Sequence, residues 1–292
     1  MRQCFALVLA SCCSLQSQPA AARSPDATAA QLLASGRIEE ALQNYRELAA
    51  KHPNQAKYED QIGFILAATK RTEEAIPHFR RAIQADPNSA AAYYHLGVAL
   101  HLTRKIEPAL DALRKAAQLS PQTGDYRLRL GSAYLEADRF KEAVPELTAA
   151  TRLLPASAPA WLNLGMAQQQ VRNFAGARDA YAKALELDLQ NDALRNSYGF
   201  MLVNTRQADD GITQFRRILS AHPDDTAALI NVGFAYLQKG ELDNAIQQLS
   251  QVTQAHPDLA AAHYNLGLAL KQKDDLKAAQ VELERALALD PR

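Results

Sequence analysis

The chain has 292 residues, with 32 Lys and Arg against 32 Asp and Glu, and a formal net charge of zero. The charges are scattered and form no basic stripe, which excludes the electrostatic footprint of a DNA- or RNA-binding protein. All three cysteines, Cys4, Cys12 and Cys13, fall near the N-terminus, so the rest of the chain builds no disulfide, thiolate metal cluster or thiol nucleophile.

In chain order, the first segment differs in kind from the rest of the chain. Arg2 precedes an apolar stretch from Cys4 to Ala10, then small and polar residues up to Ala20-Ala21-Ala22. A positive start, a short apolar core and a small-x-small cut site read as a secretory signal peptide over 1–22, implying a periplasmic or extracellular protein. About ten apolar residues are too few for a membrane span. Leu9-Ala10-Ser11-Cys12 also resembles a bacterial lipobox, which would make Cys12 a lipid anchor. An uncleaved start is the third reading.

From residue 22 onward one period governs the chain. Gly63, Gly97, Gly131, Gly165, Gly199, Gly233 and Gly267 fall 34 residues apart. So do Ala41, Ala75, Ala109, Ala143, Ala177, Gly211, Ala245 and Ala279, and Pro53, Pro87, Pro121, Pro155, Leu189, Pro223, Pro257 and Pro291. A period of this size marks a solenoid. The units run over 22–55, 56–89, 90–123, 124–157, 158–191, 192–225, 226–259 and 260–292, as one solenoid without linkers.

Each unit predicts a helix–turn–helix hairpin. In 90–123, Tyr93, Leu96, Leu100 and Leu102 recur at helical spacing, then Ile106, Ala109, Leu110, Leu113 and Ala116, with Thr103-Arg104-Lys105 as the break. The repeat-ending Pro stops the second helix. Ser89, Thr123, Ser157, Asn191 and Asp225 stand where each can cap the next first helix. The mid-helix glycines cost about 1 kcal/mol each against Ala and imply a neighbouring backbone passing close by. Pro77, Pro108 and Pro145 are expected in the first turn of second helices, where a missing N–H had no partner anyway. Leu189, in place of Pro, makes 189–194 the weakest stop signal.

The unit resembles the tetratricopeptide repeat. Trp161, Leu164, Gly165, Ala177, Tyr181 and Ala184 stand at that family's recurrent positions, as do Leu266, Gly267, Ala279, Ala286 and Pro291 in the last unit. The resemblance implies an all-α fold, a right-handed superhelical solenoid of antiparallel helix pairs whose first helices line a concave groove. It also implies a protein-binding scaffold or assembly factor.

No catalytic constellation emerges beside it. His52, His222 and His256 immediately precede the repeat-ending Pro, His263 takes the place of Trp161, and His95 and His101 are six apart, not at metal-pair spacing. The paired acids near second-helix starts suit the helix dipole. No enzyme activity, cofactor or metal is expected.

The groove is where function is expected. Two residues before each recurrent Gly stand Gln61, His95, Arg129, Asn163, Ser197, Asn231 and Asn265. Asn offers a donor and an acceptor, so a row of them can hold an extended peptide backbone. This resembles the asparagine ladder of protein O-linked N-acetylglucosamine transferases. One residue after the Gly, Phe200 and Phe234 offer apolar contacts. Gln61, His95, Arg129, Asn163, Asn231, Asn265, Phe200 and Phe234 are therefore the candidate partner-binding residues. The basic clamp that some cochaperone repeats use is not evident. A second reading makes the chain the recognition subunit of a separately encoded glycosyltransferase, polysaccharide or secretion machine. Leu283, Ala286, Leu287 and Leu289 leave an apolar edge at the last repeat, suited to self-association.

Overall fold

The computed structural model describes residues 25–291, so the expected signal peptide and Cys12 lie outside the described residues. Sixteen α-helices succeed one another: α1 (Pro25–Ala34), α2 (Ile38–Lys51), α3 (Ala56–Ala68), α4 (Thr72–Ala85), α5 (Ala90–Leu102), α6 (Ile106–Leu119), α7 (Gly124–Glu136), α8 (Phe140–Leu153), α9 (Ala158–Gln170), α10 (Phe174–Leu187), α11 (Asp192–Asn204), α12 (Ala208–Ala221), α13 (Thr226–Lys239), α14 (Leu242–Ala255), α15 (Ala260–Gln272) and α16 (Leu276–Leu289). They form two compact units, one reaching Asp138 and one beginning at Arg139.

In the first unit α1/α2, α3/α4 and α5/α6 are packed pairs, and α7 packs on α6; in the second, α8 packs on α9, and α9/α10, α11/α12, α13/α14 and α15/α16 are packed pairs. First helices also touch the next first helix, α3 with α5 and α5 with α7, then α11 with α13 and α13 with α15. Consecutive second helices make no comparable contact among the described residues. The first helices therefore form the inner side of each unit and the second helices the outer side.

Every intra-repeat turn uses one left-handed residue. Gly36, Lys70, Arg104, Asp138, Arg172, Arg206, Gly240 and Asp274 all have φ between 56° and 76°. The next N–H in the chain reaches back five residues, as from Arg71 to the Leu66 carbonyl at 2.8 Å and from Glu241 to the Tyr236 carbonyl at 3.0 Å. That bond satisfies a helix-end carbonyl and fixes the reversal. It sustains a conformation that costs a non-glycine residue about 1–2 kcal/mol.

Ser89, Ser157, Asn191 and Asp225 cap the next first helix through their side chains. Thr123 does not: its hydroxyl pairs with Ser120 Oγ at 2.8 Å instead. Where Leu189 replaces Pro, α10 still stops in register, because Asn191 caps α11 and Arg195 donates to the Leu189 carbonyl. The prolines depart from expectation. Pro108 sits in the first turn of α6, but Pro77 and Pro145 lie one turn deeper in α4 and α8. Both are exposed, so the carbonyls they leave without a helix partner fall on the solvent side.

The recurrent glycines also differ from expectation in what they accommodate. A Cβ at Gly63 would meet the Phe79 ring at 2.6 Å, at Gly165 the Tyr181 ring at 2.7 Å, at Gly199 the Phe215 ring at 2.6 Å, and at Gly233 the Leu249 Cγ at 2.5 Å. The partner is a side chain sixteen residues on, projecting from the paired second helix, and not mainly a backbone. Phe79, Tyr181, Phe215 and Leu249 are fully buried, worth about 1.5–3 kcal/mol each in apolar burial. The Tyr181 hydroxyl donates to Gln169 Oε1 at 2.8 Å, and burial pushes its phenol up to about 12. Gly211 solves a different problem: a Cβ there would sit 2.8 Å from the Gly199 carbonyl.

Gly165→Ala gains about 1 kcal/mol of helix propensity but drives a methyl into the Tyr181 ring. A net loss of about 1–2 kcal/mol in urea unfolding is expected, and a gain would contradict the packing role.

Candidate functional site

On one helix, residues at i, i+3 and i+7 share a face. On α9, α11, α13 and α15 this face carries three rows. The first is Asn163, Ser197, Asn231 and Asn265; the second, three residues on, is Met166, Phe200, Phe234 and Leu268; the third, a further four on, is Gln170, Asn204, Gln238 and Gln272. None of these twelve residues is charged. At the same phases the first unit carries Gln61, Phe64 and Ala68 on α3, His95, Val98 and Leu102 on α5, and Arg129, Ser132 and Glu136 on α7. The two units thus present chemically different inner faces.

The third row is absent from the expected site, although its amides also stand 34 residues apart. Gln170, Gln238 and Gln272 are exposed, and Asn204 is half-buried with its Nδ2 donating to the Phe200 carbonyl at 2.8 Å. In the apolar row, the rings of Phe200 and Phe234 stack at 5.4 Å between α11 and α13. Met166 is 44% exposed, and Tyr264, one residue before Asn265, is 52% exposed.

The first row partly holds neighbouring repeats together. Asn231 Nδ2 donates to Asn196 Oδ1 at 2.9 Å, and His95 Nδ1 lies 2.9 Å from Asp60 Oδ1, both links spanning 35 residues. Asp60 and Asn196 were missed because their phase is otherwise apolar, with Tyr94, Leu128, Leu162, Ile230 and Tyr264. Asn231 still has a second N–H and its own carbonyl oxygen. The His95 ring also lies between Phe64 and Phe79, 5.6 Å from each. Gln61, Arg129, Asn163 and Asn265 are half-buried on α3, α7, α9 and α15.

The remaining histidines have structural partners. His52, His222 and His256 close α2, α12 and α14 through their backbone N–H groups. His263 Nε2 lies 3.2 Å from the Pro257 carbonyl, the same link Trp161 Nε1 makes to Pro155 at 2.9 Å, and its Nδ1 lies 2.6 Å from Glu282. His101 Nε2 lies 3.2 Å from Glu136 without hydrogen-bond geometry. His78 Nδ1 lies 2.6 Å from Glu59 Oε2 and 2.7 Å from Arg81. One ring nitrogen serves only one of them. We assign the proton on Nδ1, donated to Glu59, with Arg81 holding the other carboxylate oxygen at 3.0 Å. Among the described residues no three His, Cys, Asp or Glu side chains converge as a metal-ligand set, and no helix is long and apolar enough to cross a membrane.

Residues 147–262 match the family described as the TPR domain of cytochrome c-type biogenesis protein H. Tetratricopeptide-repeat families match 63–103, 90–123 and 235–292. No curated protein matches the chain significantly. Among solved structures, the chain is similar to residues 41 to the end of MamA from Desulfovibrio magneticus, with 24% identity, 59% of this chain and 97% of that one covered, and a TM-score of 0.53. It is similar to PilF of Pseudomonas aeruginosa, with 20% identity, coverages of 71% and 95%, and a TM-score of 0.53. A tetratricopeptide repeat protein from Parabacteroides merdae shares 11% identity over 84% and 97%, with a TM-score of 0.54. At these identities the likeness is one of fold.

Burial holds the His78 pKa below its ordinary value, helped by the nearby Arg81 and Arg46 charges and opposed by Glu59. A depressed folded-state value favours the neutral ring. Its contribution is therefore present above the unfolded pKa of about 6.5 and lost as pH falls through the folded value. Urea unfolding at pH 7.5 and 5.5 is expected to show a larger acid loss for the parent than for His78→Gln; equal losses would refute the depressed His78 pKa.

Proposed function

We propose that this chain, a member of the tetratricopeptide-repeat family, is a non-catalytic scaffold that binds a segment of a partner protein on the inner face of α9, α11, α13 and α15. The observation that carries this reading is the uncharged, half-exposed strip built by Asn163, Asn231, Asn265, Phe200 and Phe234 on successive first helices. Uncharged hydrogen-bonding and aromatic surface of this kind recognises chain segments. Gln61, His95 and Arg129 extend the same phases into the first unit as a more polar face. Export through residues 1–22, with or without lipid at Cys12, is part of the proposal.

A second reading, a recognition subunit serving a separately encoded envelope or assembly machine, is favoured by the family match over 147–262. Self-association is a further part of the proposal, through α16, but not by the edge expected from the sequence: Ala286 is buried, Leu283 packs at Gly267 and Leu289 is half-buried, so of those four only Leu287 is exposed, beside Leu276 and Val281, at 63%, 59% and 63%.

The test is affinity capture from an envelope fraction with tagged residues 24–292, compared with Asn163→Ala/Asn231→Ala/Asn265→Ala of equal helicity and melting behaviour. A partner held by the parent and lost by the variant is expected; equal retention would contradict recognition by the first amide row. Co-purification of an untagged copy supports self-association, and its absence at micromolar concentration removes it.

A further inference from the structure

We infer that the strip on α9, α11, α13 and α15 grips an extended, uncharged polypeptide segment by both edges of its backbone, with the two amide rows as the grips and the apolar row as the floor. This rests on the reading of the inner face as the binding surface and adds what the segment must be.

The argument begins with spacing. The first and third rows are seven residues apart on every one of the four helices, about 10 Å of helix rise. An extended chain presents N–H and C=O groups along both edges and takes hydrogen-bonding neighbours about 4.8 Å away on either side. A strand lying between the rows, across the helices, therefore meets both rows at once. Asn and Gln each supply donor and acceptor, so they satisfy backbone groups of either polarity, whatever the side chains. The third row is amide at all four positions, Gln170, Asn204, Gln238 and Gln272. At the same phase the first unit has Ala68, Leu102 and Glu136, so the pairing of rows belongs to the second unit.

The floor sets the chemistry of the segment. Side chains of a strand alternate, and every second one would point at Met166, the stacked Phe200–Phe234 pair and Leu268. With no charge among the twelve positions, a charged side chain turned inward would lose water without gaining a partner. The occupant is thus an extended segment with uncharged, apolar residues at the alternate positions that face the floor.

The probe is an end-blocked, fluorescent twelve-residue peptide alternating Ser or Thr with Val or Ile, titrated into the intact chain by anisotropy. Its comparators carry four Lys or four Asp in place of the floor-facing Val or Ile, or N-methyl groups on alternate backbone amides. The parent is expected to bind the neutral peptide, with affinity changed less than about threefold between 50 and 500 mM salt, since no ion pair is screened. Backbone methylation and Gln170→Ala/Gln238→Ala/Gln272→Ala are each expected to weaken binding about tenfold or more. These glutamines are exposed, so the variant folds as the parent does. Loss with Phe234→Ala but not with the triple variant or methylation would keep the binding face and overturn the two-edged grip. Equal or tighter binding of a charged peptide would overturn the neutral segment. If the parent binds none of these peptides, both this inference and the binding-face reading fail.

Discussion

The contact that Gly63, Gly97, Gly165, Gly199, Gly233 and Gly267 each make with the bulky side chain sixteen residues later is the constraint on which the rest depends. Phe79, Tyr181, Phe215 and Leu249 each press into the space where a Cβ would otherwise stand on the paired helix. The glycine weakens its own helix by about 1 kcal/mol, and the buried ring or branched tip more than offsets this. Because the same interlock recurs at 34-residue intervals, the first helices within each unit are rotated alike, and residues at one phase line up across that unit's repeats. A row of side chains becomes a surface only under that condition.

The turns and edges support this register without specifying it. Arg71 reaches Glu39 at 3.0 Å, Lys105 reaches Glu73 at 2.7 Å and Lys239 reaches Asp209 at 2.6 Å, each from one repeat to the preceding one. Exposed pairs of this kind contribute between zero and about 1 kcal/mol. The side-chain links Asp60–His95 and Asn196–Asn231 lie instead on the inner face, so some candidate recognition residues also align the scaffold. That dual role is why folding controls accompany any substitution there.

Much of the architecture was legible because it rests on periodic residue types. The break at Thr103-Arg104-Lys105 falls between α5 and α6 as the pattern predicts, and the Ala41 series is buried throughout. The left-handed turn residue was not legible, since the next residue's N–H bond enforces that geometry on Lys70, Arg104 or Arg206 as well as on Gly36 and Gly240. Pro77 and Pro145 stand a turn deeper than the pattern implies because only their exposure makes that position tolerable. At the candidate site, the first amide row and the Phe200–Phe234 row could be read from phase alone. The links through Asp60 and Asn196 could not, because they join different phases of adjacent repeats.

The most direct test of the interlock is a double-mutant cycle on Gly233→Ala and Leu249→Ala by urea unfolding. Leu249→Ala alone opens a cavity and is expected to cost about 2–5 kcal/mol. The added methyl of Gly233→Ala should be harmful beside Leu249 and helpful beside Ala, giving a coupling of about 1 kcal/mol or more. Strictly additive losses would mean that the two residues do not share one space, and the account of the repeat would fail.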